Sequence, residues 1–314
     1  MLNTASDFEI LNQEKNIRYR MIRREDMNNK IRKLFTHENM IYLFLVPSLI
    51  GLATFYIVPF GVSIYFALID NNASRQFVGL ANLIDIWDNR AFTIALQNTV
   101  VFMGTSIPLN VALSLMLALM LKLIRPAARR ILLVLFLLPL VIPSASVIFF
   151  WRHLISINGM LNRLFFYTTP IDWLNSSYAM MFIVLIFIWK NIGFNVILIR
   201  AGLDFIPKEY YEFAAIEGAG CIRQFFMVTL IYLRPTFLLV FILSVVNSFK
   251  VFREIYLLTG THPNLSIYMM QHFLNNQFTA LNYQRMASAS IYVFGFILIL
   301  VFVLYRLQQR QSYL

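Results

Sequence analysis

The sequence predicts an all-α integral membrane protein with six transmembrane helices. Of its 314 residues, 59% are apolar and only 13% are charged, whereas about a quarter of the residues of an average soluble domain are charged. Six apolar runs are long enough to cross roughly 30 Å of hydrocarbon, which takes about 20 helical residues. The runs are continuously apolar and lack strict alternation, so helices are favoured over the strands of a barrel.

The six predicted spans lie within a transmembrane domain of residues 40–310. In chain order they cover residues 40–69, 92–121, 131–151, 178–199, 235–252 and 286–305. The fifth span is the least clear, because it is short and runs into Lys250 and Arg253, so a count of five spans stays open. Prolines within or beside the spans predict bends, either rigid or used in movement: Pro47, Pro59, Pro108, Pro139 and Pro143.

The basic residues indicate which span ends face the cytoplasm, because Lys and Arg near a span end resist translocation. With the N-terminus inside, 18 of the 26 Lys and Arg lie on the inner side and seven on the outer side. Residues 1–39 are too charged for a cleaved secretory signal and are predicted to form a basic cytoplasmic N-terminal arm. The C-terminus and the loop of residues 204–234 are then cytoplasmic too. The net charge of +11 reflects this topology and attraction to anionic membrane lipid, and no nucleic-acid partner is expected.

The cytoplasmic loop of residues 204–234 is polar and carries the start and stop signals of a short helix. These signals are Pro207, Glu209, Glu212, Gly218 and Gly220. The helix is expected to present Ala214, Ala215 and Gly218 to a soluble partner, whose backbone can approach small residues closely. The alternative is a loop that packs beneath its own bundle with its carboxylates in solvent.

Several kinds of catalytic site are missing from the sequence. It contains no GxxxxGK[ST] phosphate loop, no HExxH, no CxxC and no GxSxG, so nucleotide hydrolysis and the common hydrolase and zinc chemistries are not expected in this chain. The one cysteine, Cys221, can form no intrachain disulfide. The histidines have no ligand-like spacing and are interpreted as solvated or interfacial: His37, His153, His262 and His272.

The cytoplasmic loop also contains a spaced motif. It consists of Glu212-Phe213-Ala214, then Gly218, then Val228-Thr229-Leu230-Ile231. This motif resembles the Glu-Ala-Ala, Gly and Ile-x-Leu-Pro signature of the permease subunits of bacterial ABC importers, specifically the maltose-type and glycerol-phosphate-type carbohydrate permeases. The spacing is intact, although Phe213, Val228 and Ile231 replace Ala, Ile and Pro. Weaker similarities extend the resemblance from the first span to the last.

The resemblance implies the type I importer permease fold, in a bacterial inner (plasma) membrane. The helix at Glu212, Ala214, Ala215 and Gly218 would couple the chain to a cytoplasmic ATPase dimer, which binds ATP and Mg; this chain would hold no cofactor or metal and would not be an enzyme. The other implied partners are a second homologous permease subunit, an extracytoplasmic solute-binding protein and a sugar substrate. A bulky Phe213 in place of Ala would alter how the coupling helix is seated.

Polar groups inside the predicted spans mark a candidate substrate pathway, because they are costly in lipid unless they face a cavity or a partner. Amides, hydroxyls and aromatic faces suit a sugar. The candidates on spans four and five are Trp189, Lys190, Asn191, Phe194, Asn195, Ser244, Asn247 and Ser248, and Gly193 would allow a local break beside them. Alternatively, the asparagines join one helix to another, and the serines bond to their own helix carbonyls.

Lys190 is the one basic residue placed well within a predicted span. It is expected to face the cavity or an acid across the dimer, because the spans as predicted contain no acid. Contact with the cavity would suit an acidic or phosphorylated sugar. The main alternative function is a stand-alone ion-coupled secondary transporter, which is disfavoured because such carriers typically use intramembrane acids; a membrane enzyme is disfavoured by the lack of clustered acids or metal ligands.

Overall fold

A computed structural model describes residues 37–70 and 75–312, and nearly all of its regular structure is helical. Within these residues the one non-helical pairing is an isolated antiparallel bridge between Ile69 and Phe77. The predicted arm, residues 1–39, lies outside the described residues except for its last three. The α-helices are α1 His37–Leu52, α2 Val58–Leu68, α3 Ala81–Asp85, α4 Arg90–Met120, α5 Pro126–Val141, α6 Ser144–Ile155, α7 Met160–Phe165, α8 Ala179–Asp204, α9 Lys208–Ile216, α10 Cys221–Gln224, α11 Leu230–Tyr232, α12 Arg234–Thr259, α13 Met270–Thr279 and α14 Tyr283–Ser312.

The chain divides into two compact units, residues 1–63 and residues 64–314. The described part of the first unit consists of α1, a π-helical turn at Ala53–Ile57 and the start of α2. Its side chains are predominantly apolar and exposed, Phe44 and Phe55 among them. A helix that exposes apolar groups along its length is suited to lipid rather than to water.

Helix α8 lies at the centre of the second unit, where it packs against α4, α5 and α12. It runs unbroken past Gly193, so the predicted local break at this glycine is wrong. Gly193 has a packing role instead, because a Cβ added there would collide with the backbone carbonyl of Phe136 on α5. The absent side chain lets two helix backbones approach closely.

The third predicted span, residues 131–151, is not one helix in the structure. Helix α5 ends at Val141, α6 begins at Ser144, and the pair bends by 93°. Pro143 lacks an amide hydrogen and disfavours helical backbone at the residue before it, and Ile142 is extended at ψ 133°. The described residues therefore contain five single helices able to span a membrane, or six spans if the bent pair counts as one.

Helix α12 extends beyond the predicted end of the fifth span at residue 252. It continues to Thr259 and ends at Gly260, whose φ is +81°. A positive φ ends the helical backbone, and glycine adopts it at little cost. The extension brings Glu254 into the helix, where it is buried, and this places an acid inside a span that was predicted to contain none.

Candidate functional sites

Helix α9 forms within the loop of residues 204–234, between Pro207 and Gly218. Pro207 directly precedes the first helical residue, and Glu209 lies in the first turn, where a carboxylate favours the positive end of the helix. Gly218 has a φ of +78°, and the amide of Ala219 donates to the carbonyl of Ala214 at 2.8 Å. This is a Schellman ending. Gly220 has a φ of −69° and begins α10 instead.

The inner face of α9 is fastened to the rest of the second unit. Tyr211 and Ala214 pack against the apolar cluster formed by α4, α8 and α12. The Tyr211 hydroxyl lies 3.0 Å from the Thr229 hydroxyl, and the ammonium of Lys122 lies 5.0 Å from the centre of the Tyr211 ring. Ala214 is therefore half-buried against the chain's own core, which leaves Ala215 and Gly218 as the more exposed of the three small residues.

The outer face of α9 is exposed and more apolar than the sequence pattern predicted. Glu212, Ala215 and Gly218 are exposed, as expected. Four bulky apolar side chains of the same loop are also exposed: Phe205 is 85%, Phe213 66%, Ile216 82% and Ile222 77% exposed. Several exposed bulky apolar groups on one polar segment are typical of an interaction surface. We call these seven residues the coupling face.

Tyr210 on α9 stacks against Tyr232, the last residue of α11. The rings of Tyr210 and Tyr232 lie 4.6 Å apart and nearly parallel. A hydrogen bond with Tyr210 raises the pKa of Tyr232 above its usual value of 10.0. The Tyr232 hydroxyl therefore stays neutral at physiological pH and adds no charge beside α9.

A cavity of about 280 Å³ lies where the bend between α5 and α6 meets α8 and α12. Its wall combines apolar groups with a set of charged ones. Its polar lining residues are Ser144, Lys190, Asn191, Asn247, Lys250, Arg253 and Glu254. Polar groups that converge on one concave space are typical of a small-molecule site.

An ion pair crosses this cavity from one helix to another. The Lys190 ammonium on α8 contacts the Glu254 carboxylate on α12, and it also donates to the Ser144 hydroxyl at 3.0 Å. The side chains of Lys190 and Glu254 are 18% and 4% exposed. Lys190 was expected to face the cavity or an acid across a dimer. It lines the cavity, and its acid lies in the same chain, because the predicted fifth span ended before Glu254.

The structure divides the eight predicted pathway residues. Lys190, Asn191 and Asn247 line the cavity. Asn195 instead donates to the Ser244 hydroxyl at 3.2 Å and so joins α8 to α12, and Ser248 bonds to a carbonyl of its own helix at 2.6 Å. For Asn195 and Ser248 these are the alternative structural roles given in the sequence analysis, a bond between helices and a bond to the residue's own helix.

The two aromatic candidates do not line the cavity. The Trp189 ring packs edge to face against Trp151, with centroids 5.8 Å apart, and Phe194 is half-buried on α8. Neither is among the residues of the cavity wall, so the structure supplies the predicted amides there without the predicted aromatic faces.

Sequence reasoning missed Ser144, Lys250, Arg253 and Glu254 as cavity residues. The basic pair was taken to mark the end of the fifth span, which hid the acid beyond it. A signal was available in Gly260, because glycine followed by Pro263 is a typical helix stop. Placing the helix end there would have put Lys250, Arg253 and Glu254 inside the span.

His272 is a further correction, since the sequence pattern was interpreted as a solvated or interfacial histidine. It lies on α13, is fully buried, and its Nδ1 accepts from the amide of Met269 at 3.3 Å. Burial lowers the pKa of His272 from 6.5 to about 4, so the ring is neutral at physiological pH.

Comparison with known proteins gives one matching family model and several similar chains. Residues 110–313 match the model of the "binding-protein-dependent transport system inner membrane component". The chain is 29% identical to the trehalose/maltose transport system permease protein MalF of Thermococcus litoralis, over 88% of this chain and 96% of that one. It is 33% identical to the sulfoquinovosyl glycerol transport system permease protein SmoG of Agrobacterium fabrum, over 71% and 75%, and 28% identical to the sn-glycerol-3-phosphate transport system permease protein UgpA of Escherichia coli, over 88% and 96%.

A solved structure shares the fold of this chain. It is a bacterial ABC transporter that imports the acidic polysaccharide alginate; one of its chains superposes with a TM-score of 0.75 at 19% identity, covering 91% of this chain and 99% of that one. The same transporter with a periplasmic protein bound to an alginate pentasaccharide gives a TM-score of 0.74 at 20% identity, covering 90% and 96%. The predicted all-helical permease fold is confirmed.

Proposed function

Because this chain belongs to the family of binding-protein-dependent transport system inner membrane components, we propose that it forms half of a membrane pathway for a sugar or sugar derivative. It is a permease subunit of an ABC importer and not an enzyme. The observation that carries the proposal is the position of α9: a capped helix at the family's signature, fastened on one face and exposed on the other.

The class of solute is inferred from relatives and from the cavity wall. The relatives' names refer to trehalose, maltose, sulfoquinovosyl glycerol and glycerol phosphate. The amides of Asn191 and Asn247 and the hydroxyl of Ser144 in the cavity suit the hydroxyl groups of such molecules. A carbohydrate or carbohydrate derivative is therefore the proposed cargo.

One wall of the cavity is open, which supports a second permease subunit as a partner. Asn247, Lys250 and Arg253 line it yet remain partly or fully exposed, so a second homologous permease subunit would complete the pathway. A solute-binding protein would deliver the sugar from outside. A cytoplasmic ATPase dimer would bind ATP and Mg, grip the coupling face and move the bundle as it closes on nucleotide.

The stand-alone carrier is not favoured, although the spans are not free of acids. The span α12 does contain an acid, Glu254. Its carboxylate is paired with Lys190, however, and is not a free proton or sodium site. The family membership supports an ATP-driven importer instead.

The coupling role is tested by Glu212→Lys and Gly218→Asp in the complete importer. Glu212 is an exposed carboxylate that a partner's Arg could meet in a bidentate pair, and Gly218 needs a positive φ that Asp adopts less readily. We expect both variants to insert normally but to lose co-purification with the ATPase and ATP-dependent uptake. The matched control is Asp88→Lys, which reverses an exposed charge in the segment before α4. Normal uptake and ATPase capture in both coupling variants would refute the proposal.

The proposed orientation has a separate test, because Cys221 is the only cysteine of the chain and is exposed. It lies at the start of α10, directly after the coupling helix. We expect a membrane-impermeant thiol reagent to leave it unlabelled in intact cells and to label it after permeabilisation. Labelling in intact cells would place the coupling face outside and would contradict a cytoplasmic ATPase.

A further inference from the structure

The cavity beside the α5–α6 bend carries an excess of positive charge. Three cations line it, Lys190, Lys250 and Arg253, against one carboxylate, Glu254. Glu254 contacts Lys190 directly, so that lysine is already compensated within the chain. The uncompensated positive charge therefore belongs to Lys250 and Arg253.

These two cations have no acidic partner among residues 37–70 and 75–312. Lys250 donates to the Asn247 side-chain oxygen at 2.9 Å, and both ion pairs of the described chain involve other residues. They lie three residues apart on α12, so their side chains share one helix face, and both are exposed to the cavity opening. Unpaired charges in a membrane span are costly, and those that occur mark partners or ligands.

A second positive feature meets the same cavity. Pro143 and Ser144, at the N-terminus of α6, line its wall, and no side chain caps that end of the 12-residue helix. A helix N-terminus carries partial positive charge and unpaired amides, which favour an anion. The Ser144 hydroxyl donates to the Glu254 carboxylate at 3.3 Å, so one anion of the chain already lies beside this helix end. The uncompensated charge that lines the cavity is therefore that of Lys250 and Arg253.

We propose that the transported solute carries an acidic group, a carboxylate, sulfonate or phosphate on a sugar, and that this oxyanion binds Lys250 and Arg253 in the cavity. The inference rests on the proposed function and narrows its cargo. It assigns the anion to Lys250 and Arg253 rather than to Lys190, because Glu254 neutralises Lys190 and holds it against Ser144. A guanidinium and an ammonium side by side suit an oxyanion with several acceptor oxygens.

The experiment measures ATP-dependent uptake by proteoliposomes that contain the complete importer and its binding protein. The probes are glucuronate, a glucose phosphate and a sulfonated glucose, each compared with glucose. We expect uptake of at least one anionic probe in clear preference to glucose. The double variant Lys250→Gln/Arg253→Gln should lower that uptake at least about tenfold, because charge-assisted hydrogen bonds are lost.

The matched control is Arg163→Gln/Arg285→Gln, which removes two exposed cations that lie outside the cavity; its uptake should equal that of the unaltered importer. Vesicles with and without anionic lipid distinguish a lipid headgroup from the solute as the bound anion. Co-purification of the second permease subunit shows whether an acid of that subunit, rather than the solute, is the anion that Lys250 and Arg253 bind.

Four results would overturn the inference: uptake of none of the anionic probes, uptake of glucose at the same rate as theirs, an uptake defect of the double variant that appears only with anionic lipid, or loss of the second subunit from the double variant. ATP-driven uptake of glucose alone would leave the proposed importer intact while refuting the charge of its cargo. Failure of the proposed function would be seen in a different experiment, because Glu212→Lys and Gly218→Asp would then retain ATPase capture and uptake.

Discussion

The cavity and the coupling face satisfy their polar and apolar groups in opposite ways. In the cavity, Lys190, Glu254 and Ser144 bind one another across three helices. On the coupling face, large side chains such as Phe213 and Ile216 stay exposed. A buried charge is strongly destabilising unless it is paired. An exposed apolar group can instead be buried when another protein binds. Substitutions at the first region should therefore alter stability, and substitutions at the second should alter coupling.

The largest effect on stability is expected for Glu254→Gln. It leaves the Lys190 ammonium without a counter-charge, and removing one partner of a buried pair costs about 3–5 kcal/mol. We expect a loss near the lower end of this range, because the new amide oxygen can still accept a hydrogen bond. The thermal unfolding midpoint of the purified importer measures it.

The double variant Lys190→Met/Glu254→Gln is the control for this prediction. With no charge left to compensate, it should lose less stability than Glu254→Gln alone, as coupled residues do in a double-mutant cycle. If the stability losses of the single substitutions were additive, the contact between Lys190 and Glu254 would contribute nothing to stability. The proposed difference between the cavity and the coupling face would then be wrong for the cavity.

Acid should destabilise the protein through His272. The pKa of this buried ring is about 4 in the folded state and about 6.5 unfolded, so the unfolded state binds the proton first as the pH falls. The contribution of His272 is fully present above pH 6.5 and is lost progressively down to pH 4, by about 3 kcal/mol in total. Thermal melts between these pH values test it. His272→Asn keeps an acceptor for the Met269 amide and should flatten the slope; equal slopes in both proteins would refute the assignment.

Helix packing around the cavity is tested by Gly193→Ala. The added Cβ collides with the Phe136 carbonyl, and overpacking typically costs about 1–3 kcal/mol. Gly104→Ala on α4 is the matched control, because nothing lies within 4 Å of its added Cβ and alanine favours a helix by about 0.5–1 kcal/mol. Equal unfolding midpoints for the two variants would show that α5 and α8 do not need this close contact.

The smallest effect on stability is expected on the coupling face, with Phe213→Ser. This side chain is 66% exposed, and surface substitutions usually stay within about 0.5 kcal/mol. Capture of the ATPase should nevertheless weaken, by about fivefold or more if Phe213 contributes over 1 kcal/mol to docking. Leu164→Ser, at a similarly exposed position on α7, should change neither quantity. A large loss of stability with unchanged ATPase capture would show that Phe213 supports the fold and not the docking of the ATPase.

Sequence reasoning worked where the physical signal is local. Pro207, Glu209 and Gly218 predict a helix start and stop without any tertiary contact, and the structure places α9 between them. The spacing from Glu212 to Ile231 identified the family, and the family model confirms it. Reasoning failed where a local signal had two readings: Lys250 and Arg253 marked the end of a span by composition, yet α12 continues through them to Thr259.

The sequence by itself determined that the chain is a membrane protein, which family it resembles and where α9 begins and ends, because hydropathy and helix capping act over neighbouring residues. Only the tertiary structure decided that Lys190 meets Glu254, that Ala214 faces inward and that Gly193 allows a close helix contact. Each of these depends on which helices become neighbours. The pairing of Lys190 with Glu254 joins residues 64 positions apart, a separation over which no local pattern carries information.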